Sequence, residues 1–153
     1  MKLKTTNEFI ASFIQLQDYL SMVDRVTKKT LCPMGTKPEY AVAVSADLLK
    51  PFIKALKKVQ EERIEELKPI GDSRPTADGG SEIVPKEGEK AAFEAINVKF
   101  NETWKELMEV EIDCEVHGFL LSNLPTTFSL PNQLWAALRY LVIPEPETAE
   151  KKG

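Results

Sequence analysis

The period of the apolar residues changes once along this chain, near residue 109. Upstream, Phe93, Ile96, Phe100, Trp104 and Leu107 recur every three or four residues, which sets them on one face of a helix. Downstream, Val110, Ile112, Cys114 and Val116 alternate with Glu111, Asp113, Glu115 and His117. That is period two, a half-buried strand with an acidic outer face. A chain holding both periods has to pack helices against strands. The predicted class is therefore α+β, predominantly helical, with about four helices and one or two short antiparallel strand pairs.

The other elements follow from local signals. Thr5 and Glu8 form a capping box ahead of Phe9, Phe13, Leu16, Leu20 and Val23. A first helix is predicted there, running to about Lys29 and stopping before Pro33 and Gly35. Tyr40 to Val44 reads either as a brief strand or as the entry to the next helix, with Ser45 or Asp47 as its cap. Proline is tolerated only in a first turn, so Pro51 means that this helix starts near Lys50 or is kinked there. Phe52, Ile53, Leu56, Val59, Ile64 and Leu67 then carry a clean stripe that Pro69 closes.

Glycine, proline and small polar residues dominate 70–89, so this stretch reads as a flexible loop or loose hairpin, with Glu82-Ile83-Val84 as an edge strand. A third helix spans about Lys90 to Met108. The last helix is predicted with Ser129 as N-cap and Pro131 in its first turn, and Pro144 ends it. Residues 1–143 read as a single domain and 144–153 as a disordered tail.

With 42% hydrophobic and 29% charged residues, the chain has a globular composition. Cys32 and Cys114 are far apart and belong to no C-x-x-C pair, so they read as buried free thiols. The N-terminus lacks an apolar h-region and no apolar run approaches a membrane span, which places the protein in the cytoplasm with no membrane partner. The net charge of −4 argues against general nucleic-acid binding. The charge is uneven: 12 Lys and Arg face 9 Asp and Glu up to Pro69, and 8 face 15 thereafter. Such polarity serves solubility, steering or head-to-tail self-association.

Few residues suggest chemistry. Any Ser-His-Asp or Cys-His site must use His117, the one histidine, and no nucleophile motif accompanies it. Gly79-Gly80 is a doublet without the spacing of a phosphate loop, and the two cysteines and His117 lack metal-ligand spacing. The chain is therefore read as a non-enzyme with no cofactor or metal. Two acidic runs, Glu61-Glu62-Glu65-Glu66 and Glu109-Glu111-Asp113-Glu115, read as solvated faces. Like charges two apart on a strand repel, and a facing partner or cation would relieve them.

Two sets of residues are candidate contacts. Lys50, Lys54, Lys57 and Lys58 lie within about 100 to 140 degrees of one another on a helix, a basic patch suited to phosphate or an acidic surface. Arg63 belongs to the same run. Trp135 and Tyr140 sit on a short terminal helix with little else to bury them, which suits an interface.

The order of features resembles small proteins encoded by tailed bacteriophages and their prophages. The likeness runs from Asn7-Glu8-Phe9-Ile10 to Leu20, through Lys37-Pro38-Glu39-Tyr40-Ala41-Val42 into the charged helix of Leu49 to Leu67. It continues through Phe100 to Ile112 and the leucine-rich Leu134 to Ile143. The glycine-rich 71–80 loop and His117-Gly118 depart from that pattern. The resemblance implies no catalytic residues. It implies a binding protein that captures a host protein, antagonising antiviral defence. It also allows an oligomeric sponge for an anionic signalling nucleotide, with the lysines holding phosphate and an aromatic ring stacking the base, or a virion assembly accessory. The partner is a protein or a second copy of the chain, with a homo-oligomer expected, and the sponge requires one.

Overall fold

The computed structural model describes residues 1–144. The tail read as disordered lies outside the described residues, Pro144 excepted. The described chain is helix-rich α+β, with five α-helices and three strand pairs. It divides into two compact units, the first built from residues 1–53 and the chain from Glu111 onward, the second from Lys54–Val110.

In the first unit, β1 (Lys2–Thr6) pairs antiparallel with β4 (Glu111–Glu115). The alternation at 110–116 predicts β4; its partner β1 gives no comparable signal. β1 also overturns the expected capping box. Thr5 pairs with Ile112 inside the sheet, and Thr6 holds the N-cap position of α1 (Asn7–Leu20) without a side-chain cap bond. α1 stops at Leu20 and not at Lys29. Beyond it the chain turns back on itself: the Asp24 carboxylate accepts from the Val26 and Thr27 N–H groups at 2.8 Å each. Lys28 adopts φ 63°, and Val23 bridges Thr30.

Tyr40 to Val44 lies inside α2 (Thr36–Leu48), with Pro38 in its first turn. Ser45 is no cap. It is fully buried, donates its Oγ–H to the His117 carbonyl at 3.1 Å and accepts the His117 N–H at 2.9 Å. α3 (Lys50–Leu67) starts at Lys50, which leaves Pro51 in its first turn.

After β4 the strand does not extend. Phe119–Leu120 forms β5, paired in parallel with β6 (Val142–Ile143). At the bend, a Cβ on Gly118 would lie 2.5 Å from Ile143 Cγ1 and 3.0 Å from the Leu141 carbonyl oxygen, so the close approach requires glycine. α5 (Asn132–Leu138) is shorter than predicted. Pro131 takes the N-cap position in place of Ser129, and Arg139–Leu141 tightens into a 3-10 turn that leads into β6. α1 packs on α5, sealing Phe9, Ile10, Phe13 and Leu16 with Leu134, Ala137, Leu138 and Leu141.

In the second unit, 70–89 is a formed hairpin of β2 (Gly71–Pro75) and β3 (Ser81–Pro85). Asp78 organises its turn by accepting from Thr76 Oγ1 and from the Gly80 N–H, and Arg74 pairs with Glu82 across the strands at 2.5 Å. A Cβ on Gly71 would clash with Ile83 and lie 3.0 Å from the Leu67 carbonyl oxygen, which ties the root of the hairpin to the end of α3. α4 (Lys90–Met108) has the predicted limits, yet none of its residues is fully buried.

Candidate functional site

The acidic strand is answered within the fold. Lys2 lies opposite Glu115 and Lys4 opposite Asp113 in the register of β1 and β4. Opposite charges directly across a strand pair reduce the repulsion at Asp113 and Glu115, while Glu111 lies opposite Thr6.

Lys50, Lys54, Lys57 and Lys58 are all exposed on α3 and make no ion pair among the described residues. They form the outward face of that helix, and none of them makes a cation–ring contact among the described residues. Trp135 is half-buried, edge-on to Phe128 at 5.7 Å between centroids. Tyr140 is 41% exposed, with its ring 4.5 Å from that of Phe9. These two aromatics are thus anchored in the packing of the first unit and make no ring contact with each other. Exposed Tyr40 meets His117 edge-on at 5.3 Å.

Both cysteines are free. Burial raises the pKa of the Cys32 thiol; burial and the neighbouring Asp113 charge raise that of Cys114. Both shifts oppose thiolate formation, the reactive state. The described residues contain no group of three or more His, Cys, Asp or Glu placed to hold a metal. No described helix is long and apolar enough to cross a membrane.

The strongest candidate centres on Arg63 in the second unit. The stripe Phe52, Leu56, Val59 and Leu67 runs along α3 at helical spacing, and Arg63 occupies the position four after Val59 and four before Leu67. Its side chain is therefore carried inward with the stripe and is half-buried. The guanidinium carbon lies 4.8 Å from the centre of the Phe100 ring, and Phe100 stacks on Trp104 at 5.5 Å. Arg63 Nε is buried without an acceptor, and the guanidinium makes no ion pair among the described residues. Arginine is seldom withdrawn from water unless paired. Stacking on Phe100 offsets part of that cost but supplies no acceptor.

Arg63 borders two clefts. One, of about 830 Å³, lies between α3, the hairpin and the start of α4, with Leu67, Ile83 and Phe93 among its walls and Asn97 at its edge. The other, of about 210 Å³, lies between the middles of α3 and α4 and is flanked by Glu62, Glu66 and Lys99. Read as part of a surface basic run, Arg63 is easily passed over in the sequence. The signal that identifies it is a cation on an apolar stripe. Comparison with protein-family models, curated protein sequences and solved structures gives no match to this chain.

Proposed function

We propose that this chain is a binding protein and that its second unit captures a small anionic ligand. The observation that carries the reading is Arg63, a half-buried guanidinium with no carboxylate partner among the described residues, set between clefts and stacked on an aromatic ring. A ligand oxyanion would supply the missing acceptor. Charge-assisted hydrogen bonds to arginine are strong and directional, so such a site gains both affinity and orientation. This reading keeps the anion expected from the sequence but moves its anchor from the exposed lysines of α3 to the inward arginine. Capture of a signalling nucleotide by a phage-type protein is one biological setting compatible with it.

Native mass spectrometry with a panel of linear and cyclic nucleotides tests the proposal. The expected result is one ligand retained per chain and released with unchanged mass on denaturation. Release of a ligand of altered mass would point to catalysis. Retention of none would remove the support for small-molecule capture.

The partial exposure of Tyr140 favours a second reading, capture of a protein partner or a second copy of the chain. In the self-association case, Tyr140→Glu lowers the sedimenting mass relative to wild type. Equal masses for the two proteins would count against that case.

A further inference from the structure

We infer that the ligand is an organic oxyanion carrying a flat apolar ring, bound in the hairpin cleft of the second unit with its anionic end toward Arg63. The inference rests on the reading of that unit as a ligand-binding module. It starts from the contrast between the two clefts that share Arg63. The smaller is flanked by the carboxylates of Glu62 and Glu66, which repel an anion, and its volume of about 210 Å³ lies below the usual range of small-molecule sites. The hairpin cleft carries Arg63 and Lys68, and Glu82 is its one carboxylate. Arg74 holds that carboxylate across the hairpin and Glu65 holds Lys68 at 2.7 Å, so Arg63 is the charge of the lining without an ion pair among the described residues. The net charge of the cleft lining is therefore positive, and its volume of about 830 Å³ lies in the range of small-molecule sites.

The lining also divides by chemistry. Arg63 and the hydroxyls of Ser73 and Ser81 are donors suited to phosphate or carboxylate oxygens. Phe93 and Ile83 offer an apolar wall for a ring. The side-chain amide of the half-buried Asn97 makes no hydrogen bond among the described residues, so it is available to donate to and accept from a polar ring edge. Gly71, packed too closely for a side chain, holds one wall of the cleft against the end of α3.

The test is a calorimetric titration of the full chain with phenyl phosphate, benzoate and the nucleoside monophosphates. Inorganic phosphate and the uncharged nucleosides are the matched controls. At least one ring-bearing anion is expected to bind about tenfold or more tightly than its uncharged counterpart and than inorganic phosphate. Arg63→Met, which keeps an apolar stem over Phe100, is expected to abolish that preference, and Asn97→Leu to weaken binding of nucleotides more than of phenyl phosphate. Should Arg63→Met fail to fold, raising salt on the wild-type protein makes the same test, because a charge-led complex weakens. Inorganic phosphate binding as tightly as the ring-bearing anions would overturn the inference and leave the anion-capture reading intact, whereas a neutral nucleoside binding as tightly as its phosphate would overturn both. Binding of no compound in the panel would overturn both.

Discussion

Each unit contains a long helix with a regular apolar stripe, but the two stripes are buried differently. In the first unit, α1 seals Phe9, Ile10, Phe13 and Leu16 against α5 and the turn that follows it. In the second, α4 leaves Phe93, Ile96, Phe100, Trp104 and Leu107 only half-buried, and Leu56 and Leu67 are the fully buried apolar side chains of that unit. The first unit thus carries most of the burial that stabilises a fold, and the second keeps apolar and charged groups in contact with solvent-accessible clefts. Half-burial weakens a core, yet it is what a ligand needs: a wall it can reach.

The sharpest way to break this comparison is at Phe13. Phe13→Ala is expected to destabilise the protein by about 3–5 kcal/mol in urea unfolding. A loss below about 1 kcal/mol would mean that the first unit is not the stabilising one. Next comes Gly71→Ala, where an added methyl meets Ile83 and backbone carbonyls. Its expected cost is about 1–3 kcal/mol, together with loss of ring-anion binding as the hairpin shifts. Trp104→Ala removes a half-buried ring and is expected to cost about 1–2 kcal/mol, well under Phe13→Ala. Equal costs would erase the distinction between the units.

Two smaller effects sharpen the account. Lys54→Ala with Lys58→Ala is expected to change stability by less than about 0.5 kcal/mol and to leave ligand affinity unchanged. A large loss of affinity would return the site to the lysine face. At Asp24, hydrogen bonds from the Thr27 and Val26 N–H groups hold the carboxyl below the usual aspartate range. A depressed folded pKa contributes stability that is present above the unfolded value and is lost as pH falls through the folded one. The amide resonances of Val26 and Thr27 should therefore shift together below about pH 4. Asp24→Asn should remove that dependence, and an unchanged profile in the variant would contradict the assignment.

Long periodic segments were legible in the sequence. α4 and β4 carry complete patterns, and Pro51 correctly offered Lys50 as a start for α3. What was not legible depends on partners distant along the chain. Lys2–Thr6 becomes a strand only because β4 lies beside it, and that pairing draws Thr5 away from the role of cap. Val142–Ile143 leaves the last helix because β5 offers it a parallel partner. The early end of α1 comes from Asp24 capturing two backbone donors, a local competition that the apolar spacing of Leu20 and Val23 conceals. Arg63 was visible as a cation, but its inward direction emerges only when its position is counted against Val59 and Leu67.

The most direct measurement is hydrogen–deuterium exchange, resolved by peptide, with and without saturating amounts of the tightest-binding ring anion. The account predicts slower exchange concentrated in residues 63–73, 81–85 and 93–100, with the first unit unchanged. Slowing confined to α1 and α5, or no change at saturation, would contradict it.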